Sequence, residues 1–361
     1  MKATKKRKKK DGKKKNYKQS KLFTKLHTFQ YFFPLLPFFP SSYTYPNAPL
    51  EKDYVVHATV RNLGDESKVR LLRDLPGADT RLFLFEADIF DPGTFGPAIG
   101  GCEFVFLGAT PLNHDPLSSK YKDTTEAAID GIHTILWLCE QSGTVRRIVY
   151  TGSVTASSPW KEDFSGYKDF IDESCWTKFD LPYPHYTDHL RDYTRSKTLS
   201  EKEILKYNRE GEQRLEVVSL TCGLVGGDTI LSYVPNSPHV IISPLTGIEI
   251  YHSTLKFLHA LLGSVPLVHI DDVCEAHIFC IERSVMAGRF LCAVDYPKLK
   301  DFEDYFAKKF PDLKLINEVE GEGKSVKACS QKLVDLGFKY QFGFEEILIA
   351  SLECAKRLGA I

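Results

Sequence analysis

From Asp53 onward, short apolar runs alternate with longer amphipathic stretches. Tyr54–Val60 (YVVHATV) reads as a buried strand, and ESKVRLLRDL after it as a helix. Arg81–Ala87 and Phe104–Leu107 give two more strands. Thr124–Gln141 has helical periodicity, with Ala127, Ile132, Ile135, Leu136 and Cys139 on or near one face. Arg147–Thr151 is a strand, Asp188 to Tyr207 a long helix, and Leu215–Leu220 the next strand. Strands and helices alternating at this spacing predict an α/β fold, a doubly wound parallel sheet covered on both faces. After residue 228 the pattern is mixed, with strands at Leu267–Ile270 and Arg289–Val294. Helices are expected at Asp272–Val285, Phe302–Phe310, Ser330–Leu336 and Glu345–Leu358. The expected organisation is a tail at 1–49, a dinucleotide-binding domain at 50–228 and a smaller substrate-binding part at 229–361, with some of its segments returning to the main sheet.

Composition changes this picture at the front. The 361 residues carry no net charge, but residues 1–49 hold +12 and the remainder −12. An acidic body repels phosphate, which argues against a nucleic-acid-binding domain. Residues 2–25 form a like-charge block expected to stay disordered, and Lys5 to Lys10 are either a polyanion-binding patch or a solvated tail. The following FQYFFPLLPFFP is interrupted by Pro34, Pro37 and Pro40, so it reads as a loose apolar tail rather than a signal peptide. No apolar run approaches the roughly 20 residues of a membrane span. Nine cysteines, an odd number with no CxxC pair, point to reduced thiols in a cytoplasmic protein and to no metal site.

Ligands of such sheets bind where strand C-termini meet helix N-termini. Arg61 ends the first visible strand, where an acidic residue would select NAD; Arg61 with Lys68 points instead to the 2′-phosphate of NADPH. A lone Arg at a strand end is more often a solvated charge. The chemistry-bearing set is Ser153, Tyr193 and Lys197. Tyr193 and Lys197 lie one helical turn apart on one face, where a lysine can lower the phenol pKa and make it a proton donor to a carbonyl. The bare YxxxK spacing recurs at Tyr17/Lys21, Tyr296/Lys300 and Tyr305/Lys309. Only Tyr193 follows a strand-end serine by 40 residues.

These residues, with the stretches YVVHATVRN, EADIFD, CEFVFLGATP, RRIVYTGS, DYTRSKTLSEKEIL and PLVHIDDVCEAHIFCIE, resemble plant extended short-chain dehydrogenases/reductases of the dihydroflavonol reductase, anthocyanidin reductase and cinnamoyl-CoA reductase group. The resemblance implies a Rossmann-type fold and an NADPH-dependent reductase of a flavonoid-like or other aromatic carbonyl. It places Arg61 and Lys68 at the 2′-phosphate, Asp88 and Ile89 beside the adenine, and Gly108, Ala109 and Thr110 along the cofactor ribose. It makes Tyr193 the general acid and gives Lys197 the nicotinamide ribose. Ser153 holds the substrate oxygen, Leu224 joins the cofactor-binding set, and His269 has only a structural part. RDYTRSK replaces the NWYCYGK of cinnamoyl-CoA reductases. Ser158 stands where dihydroflavonol reductases carry Asn, and Thr221-Cys222-Gly223 replaces Pro-Thr-Leu. Anthocyanidin reductase-like is the best single label.

The front departs furthest. Members of the group open with a strand and a GxxGxxA loop that lets the backbone approach the pyrophosphate. Here the only glycine before Gly64 is Gly12. The first strand and its glycine loop are therefore expected to be missing, which would open two strand edges inside the sheet. This gives a competing reading: a family member that has lost its cofactor loop, binds NADPH poorly and is inactive.

Overall fold

The structure, a computed structural model, describes residues 50, 52, 54–108, 120–209, 215–312, 326 and 331–361, together with the backbone of 26–30 and 327–328. A seven-stranded, all-parallel sheet organises it. Its strands are β1 Leu26–Gln30, β2 Val55–Val60, β3 Leu82–Glu86, β4 Phe104–Leu107, β5 Arg147–Ser153, β6 Glu216–Cys222 and β7 Gly288–Cys292. The spatial order is β7-β6-β5-β4-β1-β2-β3, so the chain winds outward in both directions from β1. The helices used below are α1 Glu66–Arg73, α2 Thr124–Ser142, α3 Asp188–Lys206, α4 Glu249–Leu262, α5 Ile270–Glu282, α6 Leu299–Lys309 and α7 Phe344–Arg357.

The glycine loop is missing as expected, but the place of the first strand is not left empty. The slot of the first strand is filled: Leu26–Gln30 pairs along its whole length with Val55–Thr59 of β2, and His27–Phe29 pairs with Phe104–Phe106 of β4. The segment LHTFQ lies between a lysine block and a proline-rich run, and its own pattern is too short to announce a strand. Two unpaired edges flanking the slot supply the reason for pairing that the local sequence lacks. The disordered tail expected at 1–49 therefore has a strand inside it; its other residues, 1–25 and 31–49, lie outside the described set.

The remaining strands lie within a few residues of their expected positions because a parallel sheet covered on both faces makes its inner strands continuous apolar runs. All seven residues of β5 are buried, as are the last six of β6. At the edge, β3 is only partly covered, and Phe83 is 50% exposed. On one face, Val56, Phe104 and Val149 meet Val273, Ala276 and Cys280 of α5. On the other, Val105, Ile148 and Val217 meet Ile132 and Ile135 of α2. The Asp123 carboxylate accepts from the Glu126 amide (2.8 Å) to cap α2, and Gly143 ends it in the left-handed conformation. Helices α4, α6 and α7 build a second apolar centre around Phe257, Phe302, Phe306 and Leu348. Eight described cysteines are buried free thiols.

Candidate functional site

Two clusters of polar side chains stand at the C-terminal side of the sheet. The first forms where β2 runs out. Val60, Arg61, Asn62, Asp65, Lys68 and Asp88 line a cavity of about 290 Å³. Arg61 is exposed, and the Lys68 ammonium, carried on α1, pairs with Asp65 at 2.8 Å. The Asp88 carboxylate accepts from the Phe90 amide at 3.0 Å, which fixes the turn beyond β3. Two cations and two carboxylates thus share this solvent-facing cavity, and Arg61 and Lys68 are its groups suited to an anionic phosphate. Ile89, by contrast, turns into the core: it is 1% exposed and packs so closely that a Cβ on Gly131 would lie 2.5 Å from it. Only its backbone is left to face a ligand. Gly108 ends the run of β4, while Ala109 and Thr110 lie outside the described residues. Leu224 is buried, and its amide donates to the Pro266 carbonyl at 2.7 Å.

The second cluster joins the end of β5 to the inner face of α3. Thr187 caps α3 by accepting from the Leu190 amide (3.3 Å), and the helical repeat then turns Tyr193 and Lys197 inward, 5% and 4% exposed. The Lys197 ammonium donates to the Thr151 carbonyl at 3.0 Å and lies 5.4 Å from the centre of the Tyr150 ring. The Ser153 hydroxyl lies 3.0 Å from that of Thr155 and accepts from the Thr155 amide at 3.3 Å. Burial pushes the Tyr193 phenol well above its ordinary value, and the Ser153 hydroxyl pulls it back in part. Burial also lowers Lys197 to about 8, against the pull of Cys222 and Glu201. The phenol thus moves up, opposite to the lowering expected from a neighbouring lysine, because desolvation is its largest influence. A tyrosine held protonated is still in the state a proton donor needs.

Around this cluster are residues the sequence did not single out. Glu201, two turns beyond Tyr193, is fully buried and ion-paired with Arg289 of β7 at 2.9 Å. A Cβ on Gly152 would lie 2.9 Å from the Glu201 carboxylate, so that glycine lets α3 approach the strand. The buried His277 faces the Thr151 hydroxyl through Nε2 at 3.0 Å, and its Nδ1 lies 2.8 Å from the Val273 carbonyl. A signal for Glu201 was available: an acidic residue in the same helical row as Lys197. Gly223 is explained by a Cβ that would come 2.7 Å from the Pro266 carbonyl oxygen, an approach that the leucine usual in the group could not make here. Ser158 spends its hydroxyl on the Leu261 carbonyl (2.7 Å). His269 caps α5, accepting from the Asp271 amide at 3.2 Å, and stacks on Phe342.

The residues present are chemically compatible with a nicotinamide dinucleotide at two ends, the cavity lined by Arg61, Lys68, Asp65 and Asp88 and the Ser153/Tyr193/Lys197 cluster. For the pyrophosphate between them the sequence has no glycine loop, since no glycine stands between Gly12 and Gly64.

Residues 47–292 match the model of the NAD dependent epimerase/dehydratase family. The chain is 31% identical over 315 residues to anthocyanidin reductase of Arabidopsis thaliana, covering 86% of this chain and 90% of that one. It is 33% identical over 316 residues to dihydroflavonol 4-reductase of Callistephus chinensis, covering 86% and 82%. Its structure superposes on vestitone reductase from alfalfa (Medicago sativa L.) with a TM-score of 0.73 and 28% identity, covering 93% of this chain and 99% of that one. The chain belongs to the NAD-dependent epimerase/dehydratase family, as an extended short-chain oxidoreductase of the dihydroflavonol reductase and anthocyanidin reductase-like group.

Proposed function

We propose that the chain is an NADPH-dependent reductase of flavonoid-like or other aromatic carbonyl substrates, anthocyanidin reductase-like, acting in the cytoplasm. The observation that carries this reading is the meeting of Ser153, Tyr193 and Lys197 in one buried cluster at the end of β5. The preference for the phosphorylated dinucleotide rests on Arg61 and Lys68 sharing one cavity. When bound, the cofactor supplies a hydride. The Tyr193 hydroxyl gives its proton to the carbonyl oxygen, so that C=O becomes CH–OH. Ser153 holds that oxygen by a hydrogen bond, and the Lys197 ammonium stabilises the negative charge left on the phenolate. Among the described residues no helix is long and apolar enough to cross a membrane.

A second reading, an inactive family member that binds NADPH poorly, is favoured by the absence of glycine between Gly12 and Gly64. One experiment separates the two: fluorescence titration of NADPH into this chain and into a version carrying a glycine-loop strand in place of residues 1–49. It is followed by NADPH consumption with an anthocyanidin or a dihydroflavonol. Micromolar binding and turnover by the chain itself support the reductase. Binding by the replaced version alone supports the silent member.

A further inference from the structure

The inner face of α3 carries three polar residues in one row: Tyr193, Lys197 and Glu201, at successive turns. Glu201 has no exposed surface. Its carboxylate accepts from the Ser219 hydroxyl (2.5 Å) and the Thr221 hydroxyl, both on β6, and from Nε (3.0 Å) and Nη2 (2.9 Å) of Arg289 on β7. Arg289 is itself 6% exposed, with its remaining N–H groups on the carbonyls of Cys175 (2.6 Å) and Glu173 (3.0 Å) and on the Ser157 hydroxyl (2.7 Å). The Trp176 ring covers its guanidinium at 3.7 Å.

A buried ion pair is a costly way to hold a helix to a sheet, because apolar residues of the same volume do so as well or better. What such residues cannot supply is a fixed negative charge. One stabilises a buried ammonium such as that of Lys197, which is 4% exposed beside the Thr151 carbonyl and the Tyr150 ring and has lost most of its water. Among the described residues, titratable groups facing it include Tyr193 and Glu201 from α3, Tyr150 from β5 and Cys222 from β6. Of these, Glu201 is the carboxylate. Gly152 reinforces the point, since any side chain there would strike Glu201.

We propose that Glu201 is a positioning residue for the reductase: anchored by Arg289, it supplies the negative charge that keeps the buried Lys197 ammonium protonated beneath Tyr193. The catalytic meaning of this rests on the function proposed above; the charge relationship does not.

The test therefore uses neither cofactor nor substrate. The protein is labelled with ¹³C at lysine Cε, and the Lys197 resonance, assigned by its loss in Lys197→Met, is followed through a pH titration. The parent midpoint is expected near 8. In Glu201→Gln it falls by about one pH unit. A folded Glu201→Gln with an unchanged midpoint overturns the proposal. Because that variant leaves Arg289 unpaired, Glu201→Gln/Arg289→Met is titrated beside it; a lowered midpoint there supports the proposal and an unchanged one overturns it. If the chain proves to reduce nothing, the titration still reads the charge relationship.

Discussion

The Lys197 ammonium donates to the Thr151 carbonyl at 3.0 Å, so the helix bearing Tyr193 is fastened to the strand that ends in Ser153. Two elements brought together by the parallel sheet thereby share one geometry. Tyr193→Phe removes the proton donor and keeps the ring in its buried place. Turnover is expected to drop about 10²- to 10⁴-fold with the melting temperature little changed. A variant retaining more than a tenth of parental kcat would exclude Tyr193 as the acid.

Arg61 and Lys68 are the two cations of the cavity at the end of β2. Arg61→Ala and Lys68→Ala should each weaken NADPH binding about tenfold and leave NADH binding nearly unaltered, because each charged hydrogen bond to a phosphate contributes about 1.5–3 kcal/mol. Paired titrations with both dinucleotides check this. Equal losses for the two would place the 2′-phosphate elsewhere.

His277 is buried, and desolvation lowers its pKa from 6.5 to about 4. The unfolded chain therefore takes up this proton first as pH falls. The stability associated with neutral His277 is complete above pH 6.5 and is lost between 6.5 and 4, by about 3 kcal/mol. Urea unfolding of the parent and of His277→Gln at pH 7 and pH 4.5 should show the variant losing less on acidification by that order. Parallel losses would refute the assignment.

Gly223 has its absent Cβ position 2.7 Å from a backbone oxygen, which cannot move as a flexible side chain could. Gly223→Ala is expected to cost about 1–3 kcal/mol by forcing the strand Leu267–His269 away from its partner Leu224–Gly226. The same denaturant curves measure it, and a loss below 0.5 kcal/mol would show that the contact relaxes freely.

Thr28 lies mid-strand in β1, paired on both sides, with His57 and Val105. Thr28→Pro removes an amide from a central strand and should cost about 3 kcal/mol or more. Thermal melts of the variant, and of a chain lacking residues 1–49, should both show severe destabilisation or aggregation. A truncated chain that melts like the parent would mean that β1 contributes nothing to the fold.

Most of the sheet was legible in the sequence because its inner strands are buried on both faces, so runs such as RIVYT and LEVVSL show as short, mostly apolar, β-rich stretches. Tyr193 was distinguishable from three other YxxxK matches by its distance from Ser153, a spacing that one helix and its loops impose. β1 was not legible, since its reason for being a strand lies in the open edges of β2 and β4 rather than in LHTFQ. Nor was the pairing of Glu201 with Arg289, 88 residues apart, which exists only once α3 packs across β6 and β7. The upward movement of the Tyr193 phenol was hidden for a related reason: spacing places a lysine beside a tyrosine but does not say how much water either keeps.

The central position of β1 also bears on synthesis. His27 leaves the ribosome 29 residues ahead of its β2 partner Val56 and 77 ahead of Phe104 of β4. During that interval the strand has at most one neighbour, and its other edge is open to any extended segment nearby. Because loop closure must precede the reward of pairing, β4 is the late step that completes the middle of the sheet. A nascent chain stalled before residue 104 would therefore expose the very edge on which the finished protein is built.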